Sequence, residues 1–187
     1  MKKNKLVSPV VKWVGGKRQL LNEIEKYIPK YTKYYEPFVG GGALLFHLQP
    51  KRAFINDINS ELMNLYQVIK DNVEELINDL SKHKNEADYF YDIREWDRDK
   101  QKYSSLSNIE KASRIIYLNK TCYNGLFRVN QQGEFNTPFG NYKNPNIVND
   151  SILRAVSIYF NKANITFKCG DFEEAVKGIR KGSFVYF

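Results

Sequence analysis

Residues 34–48 read Tyr34-Tyr35-Glu36-Pro37-Phe38-Val39-Gly40-Gly41-Gly42-Ala43-Leu44-Leu45-Phe46-His47-Leu48. An aromatic run enters three glycines and leaves as an apolar run, which predicts a strand, a tight loop and a helix. Pro50 ends that helix, and Ala53-Phe54-Ile55 is a second short strand closed by Asn56-Asp57. Next, Asn59 or Ser60 can cap a helix that carries Leu62, Leu65, Val68 and Ile69. Upstream, Val10-Val11-Lys12-Trp13 is an extended piece that stops at Gly15-Gly16. From Lys17, the residues Leu20, Leu21, Ile24, Tyr27 and Ile28 recur at helical spacing as far as Pro29. Strand, glycine loop, helix, strand, acid and helix in this order predict an α/β fold with a Rossmann-like sheet.

The segment 71–161 is different in character, richer in Asn, Asp, Lys and Tyr and poorer in strand signals. Ser107-Asn108-Ile109-Glu110 is a capping box that opens a helix through Ala112, Ile115, Ile116 and Leu118. A second helix is expected over 151–161. The reading is a helical insertion at 71–161, with 1–70 and 162–187 forming the α/β domain. In the latter part, Ile165-Thr166-Phe167-Lys168-Cys169 alternates as a strand and Gly170-Asp171-Phe172 turns. Glu173 and Glu174 suit a helix N-terminus, and 183–187 is a last strand.

With 187 residues the chain allows one domain, or one domain carrying an insertion. Its 29 Lys and Arg against 21 Asp and Glu leave a net charge of +8, a balance that favours polyanionic partners such as nucleic acid. The 13 Tyr and 12 Phe could stack on bases or fill a core. No apolar run approaches the ~20 residues of a membrane span, and the start has no signal-peptide core. Cys122 and Cys169 form no disulfide framework and no zinc spacing, so a reduced, cytoplasmic protein without a metal site is expected. Both thiols are expected to be buried small side chains rather than nucleophiles.

Three segments carry chemistry. The strand–triple-glycine–helix at 36–43 lets backbone approach a ligand closely and aims helix N–H groups at it. It fits neither the dinucleotide G-x-G-x-x-G, because Leu45 stands at the third glycine, nor a phosphate P-loop, because Arg18 follows Lys17. Asp57, after the next strand, stands where a carboxylate accepts ribose hydroxyls; its other reading is a helix cap. Lys12-Trp13-Val14-Gly15-Gly16-Lys17 offers an anion site and an aromatic face for a cation. The third segment runs from Tyr123-Asn124-Gly125-Leu126-Phe127-Arg128 to Thr137-Pro138-Phe139-Gly140. There Arg128 is of the type that reads guanine, and Leu or Pro can touch a thymine methyl; by physics alone it is an aromatic hairpin or loop.

Together KWVGGK at 12–17, EPFVGGGA at 36–43, NDIN at 56–59, the block at 118–145 and GDF at 170–172 resemble the Dam-type, D12-class DNA adenine-N6 methyltransferases. The resemblance covers nearly the whole chain and implies an S-adenosylmethionine-dependent enzyme acting on double-stranded DNA at GATC. It implies cofactor contacts at Trp13 and Lys17, at Glu36, Pro37, Phe38, Gly40 and Gly42 around the methionine part, at Asp57 for ribose, and at Asp171 with Phe172 for adenine. It also implies DNA contacts from Lys12, Tyr123, Asn124, Leu126, Arg128 and Pro138. A monomer is expected, one that could work beside a cognate restriction endonuclease. The family's catalytic D-P-P-Y follows a strand such as that at 183–187, where this sequence stops. The expectation is therefore a fragment or truncated gene product, inactive alone, whose sheet is incomplete on that side. The rival readings are an inactive DNA-binding fragment and an RNA methyltransferase sharing the cofactor fold.

Overall fold

A computed structural model describes residues 3–15 and 18–187. The α/β part begins with a 3-10 turn at Arg18–Leu20 and α1 (Leu21–Lys26), then β1 (Lys33–Glu36), α2 (Ala43–Leu48), β2 (Arg52–Asp57) and α3 (Ser60–Asp71). Four helices follow: α4 (Val73–Leu80), α5 (Ala87–Arg94), α6 (Lys100–Ser105) and α7 (Asn108–Thr121). After the long loop 122–149 come α8 (Asp150–Lys162), β3 (Asn164–Cys169), α9 (Phe172–Val176) and β4 (Ser183–Val185).

The four strands form one parallel sheet in the order β3-β2-β1-β4, so the three strands anticipated near 34–39, 53–56 and 165–168 share a sheet. Chain progression runs outward from β1 through β2 to β3 and then returns to place β4 on the other side of β1. In an open parallel sheet that reversal leaves a crevice at the carboxyl ends of the two strands on either side of it. Here those ends are Glu36 of β1 and the Val185–Tyr186 end of β4.

Burial explains why these segments fold as they do. Ala53 and Ile55 of β2 are fully buried, as are Leu62, Leu65, Tyr66 and Ile69 along one face of α3. They meet Leu44, Leu45 and Phe46 of α2, Ile115 and Ile116 of α7, and Val156 and Phe160 of α8 in one core. Each such side chain contributes roughly 1.5–3 kcal/mol by leaving water. A second core gathers Phe90, Ile93, Tyr117, Leu118, Cys122 and Phe135 between α5, α7 and the long loop. Many of the rings are thus core: Tyr34, Tyr66, Tyr117, Tyr159, Phe46, Phe90, Phe135 and Phe160 are fully buried.

Several boundaries differ from expectation. β1 stops at Glu36 rather than near Val39, because Pro37 has no N–H for the ladder; Val39 N–H instead reaches back to Asn56 O at 2.9 Å. The helix expected from Lys17 to Ile28 is the shorter α1, with Leu20 and Tyr27 exposed. Asn59, not Ser60, caps α3 by accepting from Leu62 N–H at 2.9 Å. α2 spans Ala43–Leu48 as read, closed by Gln49 at φ 48° ahead of Pro50. The capping box at Ser107 and Glu110 forms as read. Among the described residues no helix is long and apolar enough to cross a membrane.

Candidate functional site

A cavity of about 680 Å³ opens at the crevice between β1 and β4. Its floor is Glu36, Val39, Gly40, Gly41 and Tyr186, and one wall is the strip 9–15 with Lys12 and Trp13. A further wall, packed beside that strip, is Tyr123, Asn124, Gly125 and Leu126. Residues expected to serve the cofactor (Trp13, Glu36, Gly40) and residues expected to serve DNA (Lys12, Tyr123, Asn124, Leu126) therefore face one space.

The glycine loop is shaped by contact as well as by φ. Gly42, at φ +69°, heads α2, where a Cβ would meet Phe46 Cε2 at 2.7 Å. At Gly40, also at positive φ, a Cβ would come within 2.9 Å of Trp13 Cδ1, so the indole closes directly over the loop. The Gly40 carbonyl accepts a hydrogen bond from the Tyr66 hydroxyl of α3.

Glu36 is 3 % exposed and accepts a hydrogen bond from the Tyr34 hydroxyl at 2.7 Å. Burial pushes its carboxyl up to about 8, against the Tyr34 hydroxyl and the Leu45 N–H, which favour the charged form. A buried acid poised near neutrality at the floor of an open cavity can answer a cationic ligand by releasing its proton.

Asp57 is not on the cavity surface. Its Oδ2 accepts from Gly40 N–H at 3.0 Å and its Oδ1 from Asn59 N–H at 3.0 Å, so its carboxylate fixes the glycine loop to the start of α3. Asp57 thus organises the N-terminus of α3, while the cap on Leu62 N–H is Asn59. Two of the roughly four lone-pair sites on its oxygens remain for a ligand. Beside it, exposed Phe38 and Phe172 pack with centroids 5.2 Å apart, and Ile58 is 80 % exposed. Asp171 caps α9 by accepting from Glu173 N–H at 2.7 Å. Phe38, Asp57, Asp171 and Phe172 form a second cluster at the sheet's carboxyl edge, outside the cavity. Pro37 is buried, its carbonyl accepting from Asn56 Nδ2 at 3.1 Å. Lys17 lies outside the described residues.

The loop after α7 is doubled back on itself. Tyr123 N–H donates to Pro138 O at 2.9 Å, Gly140 N–H to Thr121 O at 2.8 Å, and Asn136 N–H to Arg128 O at 3.0 Å. Tyr123, Leu126, Arg128 and Pro138 are all exposed on this clamped double loop. Arg128 and Pro138 stand away from the cavity itself.

Three positioning residues escaped the sequence reading. Asn119, 3 % exposed in α7, accepts from Lys12 N–H at 2.8 Å and donates to the carbonyls of Lys12 at 2.9 Å and Gly125 at 3.0 Å. It ties the two cavity walls together; an Asn among Ile115, Ile116 and Leu118 was the available signal. Asn56 donates to Pro37 O and to Gly170 O at 2.9 Å, joining the turns after β1 and β3. Tyr66 is the third, through Gly40. The thiols divide: Cys122 is buried, and burial pushes it up to about 11. Cys169 is exposed, contrary to expectation, because it ends β3 at the open edge of the sheet.

A family model for the D12 class N6 adenine-specific DNA methyltransferases matches residues 13–187. The chain belongs to this family. As a family member it is 48 % identical to the type II methyltransferase M1.LlaDCHI of Lactococcus lactis subsp. cremoris, over all of this chain and 67 % of that protein. It is 43 % identical to the type II methyltransferase M.MjaIII of Methanocaldococcus jannaschii, over 97 % of this chain and 68 % of that protein. To a DNA adenine methylase of Serratia marcescens it is 34 % identical, over all of this chain and 66 % of that protein. This adenine methyltransferase family member thus spans about two thirds of the length of these curated relatives, from the cavity strip through β4.

Proposed function

We propose that this chain supplies the cofactor and DNA-recognition parts of an enzyme that moves a methyl group from S-adenosylmethionine to adenine N6 in double-stranded DNA, at GATC. The observation that carries the reading is the shared cavity, lined by the glycine loop and Glu36, by the strip 9–15 with Lys12 and Trp13, and by the 123–126 turn. Its volume lies in the range of small-molecule sites, and its place at the sheet's switch point suits a nucleoside-bearing ligand.

S-adenosylmethionine, when bound, supplies an activated methyl group on a sulfonium, so positioning is the protein's main task. Glu36 and the face of Trp13 would receive its cationic part, Asp57 its ribose through the free lone pairs, and Phe38 with Phe172 its base. Lys12, Tyr123, Asn124 and Leu126 would hold DNA against the same cavity, and Arg128 and Pro138 would touch the flanking base edges. The segment 71–161 would act as the target-recognition part. Because the Asp57 carboxylate also fixes Gly40, its loss would disturb the glycine loop as well as any ribose contact.

The test measures S-adenosylmethionine binding by calorimetry and labelled-methyl transfer to a GATC duplex, using the chain and the chain continued past Phe187 through a D-P-P-Y segment. Saturable binding, and transfer to GATC above single-base variants, is expected. Binding of neither ligand removes the reading, and transfer to RNA in preference to DNA replaces it.

A further inference from the structure

The two donor edges of the Arg128 guanidinium have different surroundings. Arg128 Nε donates to Asn136 Oδ1 at 2.7 Å and Nη2 donates to the Asn136 carbonyl at 3.2 Å. A guanidinium carries five N–H donors in a rigid plane, so Asn136 takes up the edge that contains Nε. The opposite edge, Nη1 with the outer Nη2 proton, makes no hydrogen bond among the described residues, and the side chain is exposed.

The residue that holds this edge is itself held. Phe135, directly before Asn136, is 1 % exposed; its N–H donates to Asp97 Oδ2 at 2.8 Å and its carbonyl accepts from Arg98 Nη2 at 2.7 Å. Asp97 in turn pairs with the buried Arg114 of α7 at 2.7 Å. Asn136 N–H then closes the hairpin on Arg128 O. A continuous series of polar contacts therefore runs from the buried Asp97–Arg114 pair to the tip of an exposed arginine.

We propose that Asn136 is a positioning residue that presents the free fork of Arg128 to a guanine edge, so that sequence discrimination depends on the Asn136 side-chain oxygen. The inference rests on reading Arg128 as the guanine reader. An unsupported surface arginine spreads over many rotamers and loses that freedom on binding. Two hydrogen bonds to one edge select the orientation of the other in advance. The free edge offers two parallel N–H groups, which match the N7 and O6 acceptors of guanine.

The measurement is duplex binding by fluorescence anisotropy, on GATC and on duplexes altered at one G·C pair, with the chain as it stands. A bidentate arginine–guanine contact gives roughly tenfold to hundredfold discrimination. Asn136→Ala is expected to lose most of that ratio, whereas Asn136→Asp, which keeps an acceptor for Nε, stays close to wild type. In an Arg128→Ala background, Asn136→Ala should change the ratio no further, an outcome that general loosening of the loop would not give. Asn136→Leu, close in volume, serves if Asn136→Ala lowers the melting temperature. If Arg128→Ala lowers the ratio and Asn136→Ala does not, the positioning role alone is overturned. If Asn136→Asp behaves as Asn136→Ala, or if binding weakens equally on every duplex, that role is likewise overturned. A ratio shared by wild type and Arg128→Ala overturns the guanine reading and this inference together.

Discussion

Trp13 stacks on Phe127, with ring centroids 4.6 Å apart and planes inclined by 21°. One ring belongs to the strip that walls the cavity, the other to the loop that carries Arg128. Phe127 also meets Phe135 edge-on at 5.6 Å, so the stack runs into the second core. Aromatic pairs add about 0.5–1.5 kcal/mol beyond burial. Trp13→Ala is expected to destabilise the protein by about 2–4 kcal/mol, with Trp13→Phe recovering most of it. Urea unfolding reads the difference, and a loss of only a few tenths would mean that the indole supports nothing.

Removing the Asp57 carboxylate leaves the Gly40 and Asn59 N–H groups without their acceptors. Asp57→Ala should cost about 1–3 kcal/mol of stability, and Asp57→Asn less, because it keeps one acceptor oxygen. Affinity for S-adenosylmethionine should weaken by a further amount of about 1–3 kcal/mol. Calorimetry at a temperature where the variants remain folded separates the two effects. Unchanged affinity would confine Asp57 to shaping the loop.

Glu36 makes stability depend on pH in an unusual direction. Its folded-state carboxyl lies up at about 8 from burial, above the ordinary 4.5. The folded protein therefore holds this proton more tightly than the unfolded chain. The contribution is full below about pH 4.5 and is lost as pH rises through about 8. Glu36→Gln should remove a decline of about 1–4 kcal/mol across that window. Unfolding curves at several pH values test it, and parallel profiles for the two proteins would refute it.

His83 acts in the opposite sense. Burial holds its imidazole down at about 4, and it stacks on Tyr117 at 4.4 Å with its nitrogens bonded to the Tyr89 and Ser113 hydroxyls. A depressed base contributes stability above about pH 6.5 and loses it as pH falls through about 4. His83→Gln is expected to flatten the acid limb of the stability profile. Hydrogen exchange should find α5 and the end of α7 opening first in wild type; uniform exchange would contradict this.

The two thiols should label unequally. A maleimide is expected to modify exposed Cys169 rapidly in the native protein and to leave Cys122 untouched until unfolding. Mass spectrometry of the labelled peptides checks it. Early modification of Cys122 would show that the second core opens readily.

What was legible in the sequence follows from locality. The glycine loop, β2, α3 and the Ser107–Glu110 box were readable because their determinants lie within a few residues of one another. The end of β1 was misplaced because Val39 looks like strand, while Pro37 had already broken the ladder. Asn119 and Asn56 were missed because a buried amide reads as surface until its distant partners are known, Lys12 and Gly170 among them. The Asp97–Arg98–Arg114 network is invisible for the same reason: its charges are ordinary in sequence, and Phe135 lies 38 positions from Asp97. The site was legible as a set of residue types, but its division into a cavity and an edge cluster was not.

Asn119 grips Lys12 by both its N–H and its carbonyl while also holding the Gly125 carbonyl, so the strip 9–15 and the 123–126 turn share one anchor. A molecule seated against Trp13 and another seated against Tyr123 are consequently sensed by the same stretch of backbone. Whatever factor one ligand imposes on the affinity of the other must hold in reverse. Titrating donor in the presence of DNA, and DNA in the presence of donor, should return a single coupling constant, and Asn119→Ala should bring it toward unity.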